Sequence, residues 1–133
     1  MTSVWYLWAL LLLCCDQITK NLAESHLVYA IDVNVLPFLS WKLLYNTGVA
    51  FSLFAEGDGW QRWVFSLIAF GFSGFLINEI RKLDREPWYG FAYASILGGA
   101  LGNMIDRVGL GYVVDFIFVN YDWFRFPVFN IAD

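Results

Sequence analysis

Largely apolar stretches long enough to cross a membrane occur three times in this chain, and charged residues gather toward their ends. The first starts at residues 4–15, apolar except for Tyr6, and continues past Asp16 and Lys20 to Ala23. Read as residues 4–23, it approaches the roughly 20 residues that a spanning helix needs. The second is residues 63–78, sixteen uncharged positions with Trp60 and Ile80 at its margins. The third is residues 88–105, eighteen positions long, and Gly98, Gly99 and Gly102 within it allow close backbone approach. Trp60, Trp63 and Trp88 stand near the ends of these runs, where interfacial aromatics collect. Residues 79–86 read as a short charged loop between the second and third helices.

Residues 24–61 have mixed polarity. Trp41, Leu43 and Tyr45 alternate with Ser40, Lys42 and Leu44, a two-residue period that predicts a strand. Asn46, Thr47 and Gly48 then read as a turn, followed by a second strand over residues 49–54. Pro37 fits an entry loop or an edge, since it cannot donate to a ladder. The expected architecture is mainly α: one integral-membrane domain over residues 1–133, a multi-pass transmembrane bundle of three helices. A small extracytoplasmic β-hairpin leans on it.

Composition narrows the class. Hydrophobic residues make up 59% of the chain and charged ones 15%, against about 25% charged in soluble domains. The net charge is −4 and the eight Lys and Arg are scattered, which argues against nucleic acid as a partner. Cys14 and Cys15 are adjacent, poor geometry for a disulfide, and read as apolar helix residues. The N-terminal run lacks the basic region and cleavage site of a signal peptide. Arg81, Lys82 and Arg85 place the second loop in the cytoplasm. The hairpin and everything after Asp106 then fall on the extracytoplasmic side.

The candidate chemistry lies in GGALGNMIDRVGLGYVVDF, residues 98–116, and in FPVFNIAD, residues 126–133. Ionisable groups at membrane depth are costly and usually mark function. Asn103 and Asp106 are three apart on one helix face, with Arg107 beside them as the expected partner of Asp106. An Arg next to a carboxylate keeps it ionised, which suits a supporting role. Asp115 is flanked by Val113, Val114, Phe116 and Ile117, while Asp133 follows Val128, Phe129, Ile131 and Ala132. Apolar neighbours raise a carboxyl pKa, and two facing carboxylates resist double ionisation. Such a pair holds one proton, so one member can accept a proton from water while the other donates to a carbonyl oxygen. Asp16 and Lys20, one turn apart, form either a structural ion pair or, less simply, part of the catalytic machinery. A lone Asp can also be a helix cap, and Asn46 as a turn residue needs no function. The combination carries the argument.

Four blocks complete it: DQITK at 16–20, YNTGVAFS at 45–52, GGALGNMIDR at 98–107 with GYVVDF at 111–116, and FPVFNIAD at 126–133. In this order and spacing the chain resembles the bacterial lipoprotein signal peptidases, the signal peptidase II family, over nearly its whole length. The resemblance implies an inner-membrane aspartyl endopeptidase without metal or organic cofactor. Its substrates would be diacylglyceryl-modified prolipoproteins, cut just before the lipidated Cys, with the lipid tails between helices and bilayer. Carried over, Asp115 and Asp133 are the dyad; Asn103, Arg107 and Asn130 orient it or hold substrate. Asn46 and Gly48 belong to the peptide cradle, and Asp16 and Lys20 to a stabilising pair. Membrane lipids are the expected surroundings, and the expected state is a monomer. The resemblance also implies a fourth apolar helix after the last Asp, so the form ending at Asp133 is expected to be truncated and inactive as written. The rival classes are a small proton or ion carrier using the same intramembrane acids, and a lipoprotein binder without catalysis.

Overall fold

The structure is a computed structural model that describes residues 2–48 and 59–133. Three helices, α1 (Thr2–His26), α2 (Trp60–Lys82) and α3 (Pro87–Leu110), accompany a four-stranded antiparallel sheet. Its strands are β1 (Asp32–Leu36), β2 (Leu39–Asn46), β3 (Val113–Tyr121) and β4 (Phe124–Arg125), ordered β1-β2-β3-β4.

The helices outrun their uncharged stretches. α2 continues through Glu79, Arg81 and Lys82, where Lys82 pairs with Glu79 at 2.6 Å, so the charged loop shrinks to residues 83–86. Pro87 opens α3, a position where its missing N–H costs nothing. Gly111, at φ 87, closes it and donates to the carbonyls of Asp106 and Arg107. α1 and α2 are long and apolar enough to cross a membrane. Their outward side chains are apolar too, Leu67 being 71% exposed and Phe70 68%, as suits helices that face lipid.

α1 runs toward the sheet, α2 away from it and α3 back. Near the start of α1, the Tyr6 hydroxyl donates to Ile77 O near the end of α2. At the other end, Arg62 in the first turn of α2 donates to Val108 O in the last turn of α3. α1 and α3 lie parallel, with Trp8 Nε1 donating to Ser95 Oγ at 2.9 Å. Ala9, Leu76, Ile80, Ala94 and Leu97 fill the space between all three helices.

The sheet has strands beyond the hairpin expected. β2 pairs on one side with β1, across the turn that contains Pro37, and on the other with β3. The second strand expected over residues 49–54 lies outside the described residues. The stretch around Asp115 is the nine-residue strand β3. Its first four residues are buried, and Val114 and Phe116 pack on Ala23 and Leu43. Between Trp41, opposite Ile117, and Leu44, opposite Asp115, two positions of β2, Lys42 and Leu43, face one of β3, Phe116. This is a β-bulge. Leu43 uses it to turn its carbonyl toward Ala30 N, 2.9 Å away, and its side chain into the core. Ser40 and Leu43, three apart, are therefore both buried.

Candidate active site

The end of α3, the start of β3, one face of α1 and residues 126–133 meet at the border between helices and sheet. Two groups of carboxylates form there.

The first surrounds Lys20. Its buried ammonium lies 2.7 Å from Asp16 Oδ2 and 2.9 Å from Asp106 Oδ2, and donates to Asn103 Oδ1 at 3.0 Å. Gln17 Nε2 donates to Asp106 Oδ1 at 3.1 Å and to Gly102 O at 3.2 Å. Two backbone N–H groups complete the cage, Val114 to Asp106 Oδ2 and Ala132 to Asp16 Oδ1, both at 3.0 Å. A buried ion pair holds only when its remaining lone pairs are satisfied in this way. The expected partnership of Asp106 with Arg107 is corrected to Lys20. Consecutive helix positions point about 100° apart, so neighbours in sequence do not face one group. Arg107 instead lays its guanidinium over the Phe65 ring, 5.3 Å from the centroid. Asp133 is its strongest electrostatic neighbour, ahead of Asp106 and Asp115.

The second group joins Asp115 to Asp133 through Asn130. Asn130 Nδ2 lies 2.8 Å from Asp115 Oδ1, and the Asn130 backbone N–H donates to Asp133 Oδ2 at 3.2 Å. Asn103 Nδ2 holds the other oxygen of Asp133 at 3.0 Å, while Asn103 Oδ1 accepts from Asn130 Nδ2 at 3.1 Å. The local fold sets this geometry. Phe129 N donates to Ile117 O and Phe129 O accepts from Phe116 N and Ile117 N, at 2.8–3.0 Å, which lays Asn130 beside Asp115. Asn130 Oδ1 then accepts from Ala132 N and Asp133 N, closing a turn that brings Asp133 back toward α3. That return needs room. A Cβ on Gly99 would sit 2.1 Å from Ala132 O, and one on Gly102 2.3 Å from Asp16 Oδ2.

Burial pushes the Asp115 carboxyl up to about 6 from 3.8, and the charge of Asp133 adds to the shift. Hydrogen bonds from Asn46 and Asn130 oppose it. Asn46 belongs to a turn in which its Oδ1 accepts from Gly48 N at 2.8 Å. Gly48 adopts φ +84, and a Cβ there would also meet the Phe65 ring at 2.6 Å, so the turn requires glycine. Asp133 is exposed, and with Asn103 it borders a groove of about 630 Å³ flanked by Trp8, Leu12, Phe91 and Ile96.

The geometry thus gathers Asp16, Lys20, Asn103 and Asp106 into one cluster, and Asn46, Asn103, Asp115, Asn130 and Asp133 into another. Sequence reasoning missed Gln17 and the N–H groups of Val114 and Ala132. Gln17 was findable, standing three residues before Lys20 and hence on its face.

The chain matches the family model for signal peptidase (SPase) II over residues 8–133. A Pseudomonas fluorescens protein named lipoprotein signal peptidase is 47% identical over 133 residues, 97% of this chain and 78% of its own length. Proteins of the same name from Teredinibacter turnerae and Acinetobacter baumannii are 49% and 48% identical, covering 97% and 98% of this chain and 77% and 74% of their own. Two solved structures, both described as bacterial membrane enzymes, superpose with TM-scores of 0.82. They are 32% and 31% identical, covering 98% of this chain and 79% and 83% of theirs.

Proposed function

Since the chain belongs to the signal peptidase II family, we propose that Asp115 and Asp133 are the dyad with which it cleaves prolipoproteins. It is an aspartic endopeptidase that removes the signal peptide on the N-terminal side of the diacylglyceryl-modified Cys. The observation that carries the residue assignment is Asn130, which binds Asp115 through its side chain and Asp133 through its backbone. Among the described residues no ion pair joins a cation to either of these two, in contrast to the neighbouring Asp16 and Asp106.

Burial raises the Asp115 carboxyl to about 6, so Asp115 is the member of the pair that carries the proton. Asp133, on the exposed side, takes a proton from the attacking water while Asp115 donates its own to the scissile carbonyl oxygen. A neutral tetrahedral diol results. It collapses as a proton passes from the dyad to the leaving nitrogen, and the C–N bond breaks. Asn103 and Asn130 keep the carboxylates in line. Asn46 and Gly48 shape the cradle for the peptide, and Arg107, whose strongest neighbour is Asp133, holds the substrate backbone or the dyad. Asp16, Lys20 and Asp106 brace the structure behind them.

All three helices cross the bacterial inner membrane. Arg81, Lys82 and Arg85 lie on the cytoplasmic side, and the sheet and dyad lie at the outer face. The alternating direction of α1, α2 and α3 supports this, since it puts residues 83–86 at the opposite end from the sheet.

The test is cleavage of a diacylglyceryl-modified prolipoprotein in membranes. Asp115→Asn and Asp133→Asn should each abolish product while the protein remains folded. Asp106→Asn should lower activity only in proportion to the folded protein lost. A folded but inactive Asp106→Asn beside an active Asp115→Asn would put the dyad on the wrong carboxylates.

A further inference from the structure

We propose that the two turns at the far end of the sheet form an anchor that dips into the lipid interface beside α1. The inference rests on α1 being a spanning helix and goes beyond the peptidase site.

The path of β3 carries it. Val114 borders one flank of α1, in a cleft with Lys20 and Glu24. Two residues on, Phe116 reaches the other flank, lining a groove with Thr19, Leu22 and His26. β3 therefore crosses α1 at its last two turns, not beyond its end. Five more residues, 117–121, carry the strand on by roughly 16 Å at about 3.3 Å per residue. They leave on the flank where Leu22 is exposed.

Both turns lie at that end. Leu39 pairs with Val119, and Asn120 N donates to Phe38 O at 2.9 Å. Leu36, Phe38, Tyr121, Trp123, Phe124 and Phe126 are all exposed there, and Trp123 is 86% so. Asp122, at φ 51, makes the tight turn from which Trp123 projects. Hairpin tips in water are ordinarily polar, and a contiguous apolar patch marks an interaction surface. This one is rich in Trp and Tyr, the residues that settle at headgroup level. It carries Arg125, whose long stem lets the charge reach water from such a depth.

The occupant follows from continuity. The groove beneath the crossing, about 380 Å³ and lined by Leu22, Leu27, Trp41 and Phe116, joins α1 to the sheet face. Apolar side chains thus follow one another from the exposed face of α1, at Ile18 and Leu22, through the groove to the exposed turns. A lipid monolayer covers both at once.

Depth-dependent quenching tests this. Single cysteines, Trp123→Cys, Leu22→Cys and Asp84→Cys, are introduced with Cys14→Ser and Cys15→Ser, labelled with an environment-sensitive fluorophore and reconstituted without substrate. The vesicles are phosphatidylglycerol and phosphatidylethanolamine, with or without a lipid bearing a shallow nitroxide. The label at 123 should emit to the blue, lose most of its emission to the lipid nitroxide and little to aqueous iodide. Position 84 should respond the other way, and position 22 should report lipid. A label at 123 that responds as position 84 does overturns the anchor. So does one shielded from iodide yet untouched by the nitroxide; shielding that fades on dilution with lipid would assign the patch to a second copy of the chain. If position 22 also answers to iodide, the spanning reading of α1 falls first, and the anchor with it.

Discussion

Asp16 and Asp106 share the ammonium of Lys20, whereas Asp115 and Asp133 are held by the amides of Asn46, Asn103 and Asn130. Asn103 touches both groups, accepting from Lys20 on one side and donating to Asp133 on the other. The residue types are the same; the cation is the difference. Two like charges about 4 Å apart repel by about 4 kcal/mol at an effective dielectric of 20, enough to decide protonation. Lys20 offsets the repulsion between its two carboxylates, which tie α1 to α3 and to the backbone of residues 114 and 132. Among the described residues the proposed dyad has no ion pair of this kind, and burial raises Asp115 so that it can hold a proton. On that proposal, what stands between two carboxylates decides whether they brace or catalyse.

The sharpest way to break the comparison is to remove the cation. Lys20→Met should leave two buried carboxylates uncompensated and cost about 3–5 kcal/mol, as breaking a buried pair does. Unfolding in detergent micelles, followed by tryptophan emission, measures it. Stability unchanged by this substitution would make the first cluster no brace at all.

The opposite sign is expected at the dyad. The folded-state value of Asp115 is raised to about 6 from 3.8. Its favourable contribution to stability is therefore present below about pH 4 and lost as pH rises through about 6. Asp115→Asn removes the buried charge, so above pH 6 the variant should be more stable than the parent by about 1–3 kcal/mol, one pKa unit being about 1.4 kcal/mol. Below pH 4 the two should unfold alike. A variant less stable than the parent at pH 8 would place Asp115 among the braces. The smallest effect should come from Gln17→Ala, which removes neutral donors from the first cluster while sparing its charges. It should cost about 1 kcal/mol and leave cleavage per folded molecule unchanged.

Legibility in the sequence followed the range of the interaction. The three helices were readable because each uncharged run is a local signal; their ends were not, because α2 and α3 continue as helix through Glu79 to Lys82 and through Asp106 to Leu110. The described partners of β2 were missed for a different reason. Asn46 and Gly48 form a turn with the chemistry of a hairpin, but the described partners come from Asp32–Leu36 and, some seventy residues downstream, from Val113–Tyr121. Nothing local writes that pairing. β3 itself had a readable signal, since VVDFIFVNY is rich in β-branched and aromatic residues. Attention to the Asp within it concealed the strand. Asp115, Asp133 and their two Asn were conspicuous because polar groups stand out in apolar surroundings. The partner of Asp106 was not, because Lys20 lies 86 residues away and Arg107 stood next door.

The bulge in β2 has a consequence for how the strand tolerates change. On either side of residues 42–43 the strand is in opposite phase: parity that points inward toward Asn46 points outward toward Leu39. Deleting Lys42 would leave residues 40, 41, 43, 44, 45 and 46 in unbroken alternation against residues 118 to 113, so Ser40 and Asn46 would both keep their facing. The deletion would take away the unpaired residue and the local twist that it imposes, not the register of either half. The extra residue therefore bends the strand while leaving both of its ends in step with β3.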